Sequence, residues 1–195
     1  YFKRPEAWLL IVLISVGTGG LFAWISYIAP LVTNVSGIAA GKVPFIMILV
    51  GLGMCFGNLL GGKLADSISP TKAAMICFSS MAVCLVVVYF TSPIEWTAYP
   101  MAFITGLISF TIGAPIQIML IRTAEGAETL AAAAGQASFN MGNTLGAYLG
   151  GIPITLGFAY NTPVLVGSGM AIMGVMLTYT FYKTIVLKKY KHLTR

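Results

Sequence analysis

The chain has 195 residues, 58% of them hydrophobic and 8% charged, and eleven Lys and Arg against five Asp and Glu leave a net charge of +6. Soluble domains carry about a quarter charged residues, so this composition excludes a soluble enzyme, a nucleic-acid-binding module and a disulfide-stapled secreted domain. The basic residues fall between apolar runs and at the chain ends, so the positive charge implies no nucleic acid partner.

A hydrocarbon core about 30 Å thick needs about 20 apolar residues per helical crossing, so the length holds six or seven crossings and little else. The first apolar run, from about Trp8 to Val32, is too long for the hydrophobic part of a cleavable signal. With Tyr1 as its first residue, the chain reads as a piece of a longer or processed protein. Six spans are expected, at about 8–33, 44–65, 71–91, 97–121, 129–152 and 163–187. Turn-forming or charged residues separate them: Asn34 to Pro44, Asp66 to Pro70, Thr91 to Trp96, Arg122 to Glu128, and Pro153 to Pro163. The runs are too long and continuous for barrel strands. The expected fold is therefore an all-α membrane bundle.

Lysine and arginine favour the cytoplasmic side of a membrane. One side collects Lys3, Arg4, Lys63, Lys72, Arg122, Lys183, Lys188, Lys189, Lys191 and Arg195, and the other has only Lys42. Both termini are accordingly expected in the cytoplasm, in a plasma or bacterial inner membrane. Trp8, Trp96 and Tyr182 fall near span ends, where interfacial aromatics belong. The tail Lys188-Lys189-Tyr190-Lys191-His192 reads as a solvated stop signal facing headgroups.

Shifting the chain by 85 residues aligns Ala29-Pro30 with Ala114-Pro115, and Gly57-Asn58-x-Leu60-Gly61 with Gly142-Asn143-x-Leu145-Gly146. This suggests two three-helix units, about 1–92 and 93–195, inserted in opposite orientations, a plan that puts transport sites near the midplane. Span two carries Gly53, Gly57 and Gly61, and span five Gly142, Gly146 and Gly150. Such rows let another backbone approach closely, either as static packing or as a smooth contact on which one bundle rocks against another. Pro30 and Pro115 remove backbone donors and suit a kink or gate.

An ionisable residue inside a span marks a functional site by default, and these spans hold essentially none. Asp66, Glu95, Glu125 and Glu128 lie at ends or in loops, and His192 is in the tail. A proton-carrying carboxylate must then come from elsewhere. What remains is neutral and aromatic. Trp24 and Tyr27 share a face of span one by their spacing, with Thr105, Ser109 and Gln117 on span four and Gln136 and Asn140 on span five. Helix-to-helix hydrogen bonding and cavity lining both account for such stripes. Cys55, Cys77 and Cys84 lie in apolar runs at neither CxxC nor metal-ligand spacing and read as small hydrophobes. No metal or cofactor is expected.

The stretch Gly62-x-Leu64-Ala65-Asp66 resembles the cytoplasmic loop motif of the major facilitator superfamily, in the copy after its eighth helix, with Ser67 and Ser69-Pro70 departing from the usual basic pattern. The run from Ala137 to Gly151 is similar to the eleventh helix of arabinose-efflux-permease-like members, in the drug:proton antiporter branch. Phe22 to Pro30 is similar to their seventh. The resemblance implies the C-terminal six-helix half of a twelve-helix transporter. In that half, spans one and four would line a cavity and spans two and five would meet the N-terminal half. Gly62, Lys63 and Asp66 would form a gating loop, with Asp66 facing a helix N-terminus of the missing half. The expected function is one wall of a proton-coupled efflux carrier for a small amphipathic or sugar-like molecule, its partners being that N-terminal half, the lipid bilayer, the substrate and protons. The alternatives are a non-transporting scaffold, or a half-bundle that dimerises through its glycine rows.

Overall fold

The computed structural model describes residues 4–124 and 126–186. These form helices α1 (Pro5–Asn34), α2 (Val43–Ser67), α3 (Pro70–Thr91), α4 (Glu95–Ala124), α5 (Glu128–Thr155) and α6 (Thr162–Phe181), the last continuing as a π-helical turn over Tyr182–Val186. No strand occurs among the described residues. The helix ends fall within a few residues of the expected spans. Lys3, Glu125, the expected last end at Leu187 and the basic tail, with its Lys188, Lys189, Lys191, His192 and Arg195, lie outside the described residues.

Proline sets several starts. Pro5, Pro44, Pro70 and Pro163 stand in the first turns of α1, α2, α3 and α6, where the missing N–H is one that no helix would use. Ser69 adds a side-chain cap, accepting from the Lys72 backbone N–H at 3.3 Å.

Two helices are broken. α4 divides at Ile112 into Glu95–Thr111 and Gly113–Ala124, and α1 divides at Thr18 and again at Ser26 and Tyr27. The prolines explain two of these breaks: Pro30 and Pro115 cannot donate to the carbonyls one turn earlier, at Ser26 and Thr111. The break at Thr18 has no proline. It falls among Gly17, Gly19 and Gly20, the weakest helix formers apart from proline, and its Oγ1 donates to the Ile14 carbonyl at 2.7 Å.

Five of the helices, all but α5, are long and apolar enough to cross a membrane. α5 has the length, at 28 residues, but its Gln136, Asn140, Asn143 and Thr144 lower its apolarity. Six crossings were expected, and α5 is the least apolar of them because one of its faces is built of amides and hydroxyls, groups that need a partner or water at membrane depth.

Short links reverse the chain between successive helices. One end of the bundle holds Arg4, Lys63, Lys72, Arg122 and Lys183. At the other, Lys42 pairs with Glu95 at 3.5 Å. Three loops are tied together there: Ser36 Oγ donates to the Ser92 carbonyl at 2.6 Å, and Asn161 Nδ2 to Ser92 Oγ at 3.3 Å.

The main packing partners are α2 with α4, α5 with α1, and α3 with α6. Both glycine rows lie in these contacts. A methyl group on Gly53, Gly57 or Gly61 would collide with the backbone of Phe103, Leu107 or Thr111 on α4. On α5, Gly142 and Gly146 press on α1 at Thr18 and Gly19, and Gly150 at Ala23. The expectation that these rows meet a second bundle is therefore corrected: this chain's own helices cover them. Spacing reveals a side-chain-poor stripe, and any backbone can occupy it. The same facts remove the dimerising surface of the alternative reading. Phe78 of α3 fills the cleft between α1 and α6, its ring lying against Gly17 and Gly174.

Gly51 tests this packing by contrast, since nothing lies within 4 Å of a Cβ there. Gly57→Ala should lower the melting temperature of the detergent-solubilised protein, because overpacking costs about 1–3 kcal/mol. Gly51→Ala should leave it unchanged or raise it, since Ala favours a helix over Gly by about 1 kcal/mol.

Candidate functional site

A cavity of about 590 Å³ opens where the broken helices meet. Gly17 and Thr18 bring the first break of α1 to it, and Ile112, Gly113 and Ala114 bring the break of α4. At the 1.5 Å rise per residue of a helix, Ser109 lies about 22 Å and Gln117 about 10 Å from the Ala124 end of α4. The cavity thus runs from mid-bundle toward the lysine-bearing end.

Its walls are apolar: Phe22 from α1, Phe78 and Met81 from α3, Phe110 from α4 and Phe139 from α5. Its polar groups are Asn58 of α2, Ser109 and Gln117 of α4, and Gln136 and Asn140 of α5, with Thr18 at the break. No Asp, Glu, Lys, Arg or His is among the described lining residues.

The hydroxyl donors are already engaged within their own helices. Thr18 Oγ1 donates to the Ile14 carbonyl, and Ser109 Oγ to the Thr105 carbonyl. The side-chain amides of Asn58, Gln117, Gln136 and Asn140 are exposed and make no hydrogen bond among the described residues. Each amide offers both a donor and an acceptor. The recognition capacity of the cavity rests on these four amides rather than on its hydroxyls.

The structure brings Ser109, Gln117, Gln136 and Asn140 together and leaves three expected residues elsewhere. Trp24 is 2% exposed and packs in the core with Ile28, Leu31 and Val88. Tyr27 reaches α5, where its hydroxyl donates to the Ala147 carbonyl at 2.7 Å. Thr105 is fully buried; its Oγ1 donates to the Met101 carbonyl at 2.7 Å and lies 3.4 Å from Cys84 Sγ. These assignments to a cavity wall are corrected to packing and helix tethering. For Trp24 the cause is plain: spacing places a side chain on a helix face and does not say whether that face meets core or cavity. Asn58 also lines the cavity, and its only signal in the sequence is the 85-residue offset that pairs it with Asn143. The aromatic walls carried no sequence signal that sets them apart from core.

Of the loop motif, Lys63 and Asp66 are exposed and Gly62 is half-buried with open space beside it. The motif stands at the lysine-bearing end with no partner for Asp66 among the described residues.

An all-helical bundle with five apolar crossings, and a cavity centred on paired helix breaks, defines a multi-pass membrane protein. The profile of the Major Facilitator Superfamily matches residues 1–150, and the chain belongs to that family. It is 38% identical over 185 residues to the putative transporter AraJ of Escherichia coli (strain K12), an alignment covering 94% of this chain and 47% of AraJ. It is 33% identical over 174 residues to the uncharacterized MFS-type transporter YtbD of Bacillus subtilis (strain 168), covering 87% of this chain and 43% of that one. With the inner membrane transport protein YdhP of Escherichia coli (strain K12) the identity is 28% over 177 residues, covering 90% and 45%. The chain spans about half the length of the curated relatives it matches.

Substitutions separate packing from recognition at the corrected positions. Trp24→Ala should destabilise the fold by about 3–5 kcal/mol, as large-to-small core changes do, and Tyr27→Phe by about 1 kcal/mol through the lost hydrogen bond. Thermal melts and folded yield check both. A Trp24→Ala protein of undiminished yield and melting temperature contradicts its core placement.

Proposed function

We propose that this chain is the C-terminal six-helix half of a secondary transporter and forms one wall of an alternating-access cavity. The observation that carries the reading is the amide-and-aromatic cavity at the helix breaks. A site with apolar walls and a few convergent polar groups suits a small ligand, and a wall without charge suits an uncharged or amphipathic one. Efflux of such a molecule against proton entry is the direction the sequence resemblance favours. The group that carries the proton then belongs to the N-terminal half, because the described walls of this cavity offer none.

The two three-helix units interlock in this reading. The second helix of each, α2 or α5, lies along the first helix of the other, α4 or α1. Contact with the N-terminal half then falls to the uncovered face of α5 and, on α2, to the flank that carries Asn58. On α5 that face carries Asn140, Asn143, Thr144 and Tyr148, all exposed in this chain. Such a face is unsuited to hydrocarbon and suited to a protein partner or a wet cavity. Asp66 meets a helix N-terminus of the N-terminal half when the lysine-bearing end closes, and that end is cytoplasmic, in a bacterial inner membrane.

The test is proton movement in proteoliposomes holding the full-length protein, challenged with a panel of uncharged and cationic amphipathic compounds. At least one compound should collapse an imposed pH gradient. Asn140→Leu should then weaken its apparent affinity about 2–10-fold, the worth of one hydrogen bond, with the melting temperature unchanged. Absence of proton or solute movement across the panel, or an Asn140→Leu protein of wild-type affinity, contradicts the reading.

A further inference from the structure

A second cavity, about 480 Å³, lies on the opposite flank of α2 from the amide cavity, within the roughly 300–1,000 Å³ range of ligand sites. Its walls are Leu60 and Leu64 of α2, Ile76 and Ser80 of α3 and Ile108 of α4, with Lys63 and Ser67 toward the lysine-bearing end. The separation of the two cavities follows from helix geometry. The row Gly53, Gly57 and Gly61 is clamped on α4. At about 100° per residue, Asn58 projects about 100° to one side of Gly57, whereas Leu60 lies about 60° and Lys63 about 120° to the other. α2 therefore divides a polar flank from an apolar one.

The apolar flank is continuous with exposed side chains, Phe56, Leu60 and Ile76 being 54%, 46% and 50% exposed. Within it stands one charge. Lys63 is exposed, has no carboxylate within ion-pair distance among the described residues, and sits about 6 Å from the Ser67 end of α2 at 1.5 Å per residue. A long lysine near a helix end reaches the headgroup layer. Asp66, one turn on, is exposed and does not pair with it. Lys72, in the first turn of α3, adds a second positive charge at the same end.

The chemistry that fits is amphiphilic: an apolar chain for the groove and an anion for the ammonium. A free anion leaves the apolar walls uncovered, and an extended peptide would bring unsatisfied backbone groups into hydrocarbon. We propose that this groove binds one anionic phospholipid of the leaflet at the lysine-bearing end, its phosphate on Lys63 and an acyl chain along Leu60, Leu64 and Ile76. The groove adjoins the amide cavity across Cys77 and Ile108, and its lipid does not depend on whether that cavity transports anything.

The test uses the full-length protein in detergent, titrated with phosphatidylglycerol or phosphatidylcholine of identical chains, bound lipid being counted by native mass spectrometry. Wild type should retain phosphatidylglycerol about fivefold better, the contribution of one lysine near an anionic headgroup. Lys63→Gln should reduce that preference below twofold, and Ser80→Trp, which fills the groove, should lower retention of both lipids. Since Ser80→Trp risks misfolding, a photoreactive benzophenone side chain at Ile76 supplies an independent readout in native membranes. A phospholipid-mass adduct supports the site. A crosslink to another part of the protein, no adduct, or a Lys63→Gln protein with the full preference overturns it.

Discussion

The structure depends on backbone meeting backbone along two glycine rows. In a bilayer the lipid tails are as apolar as the helices, so no hydrophobic force draws helices together, and close packing must supply the attraction. Gly53, Gly57 and Gly61 let α2 lie directly on the α4 backbone, and Gly142, Gly146 and Gly150 do the same for α5 on α1. Each contact orients its helix. With one side of α5 committed to α1, its amides Gln136, Asn140 and Asn143 turn outward. With one side of α2 committed to α4, Asn58 and Lys63 part to opposite flanks.

The helix breaks work with this packing. The cavity of about 590 Å³ forms where α1 and α4 lose regularity at Thr18 and Ile112. Proline accounts for the break in α4. A glycine cluster accounts for the one at Thr18. Hydroxyl groups near these breaks are tied back to their own helices, whereas the amides are left with donors and acceptors to offer. The family's transport function, proposed for the whole protein, thus has a physical counterpart here in a few unengaged amides among phenylalanines, without charge.

Much of the architecture was legible in the sequence. Helix ends are marked by prolines that suit first turns and by charges that stay out of hydrocarbon, so the expected spans fall close to α1–α6. Ser109 and Gln117, from either side of the α4 break at Ile112, meet Gln136 and Asn140 at one cavity. Two things were not legible. Trp24 and Tyr27 share a face by spacing, but spacing does not tell core from cavity, and their large side chains went to core packing and to the Ala147 carbonyl. The partner of each glycine row was also hidden, because a stripe without side chains records that something approaches closely and not which helix it is. The amides of α5, legible as a stripe in the sequence, are bearable only beside protein or water.

The measurement that bears most directly on the glycine contacts is an intramolecular disulfide between α1 and α5. A Cβ on Gly150 lies 3.3 Å from that of Ala23, close to the roughly 3.5–4.5 Å a disulfide spans. In protein whose Cys55, Cys77 and Cys84 are replaced by Ser, the pair Ala23→Cys and Gly150→Cys should oxidise in native membranes to a crosslink within one chain. Free thiols in that pair, or disulfide-linked dimers formed by Gly150→Cys alone, would place the glycine row on an outer surface and contradict the account.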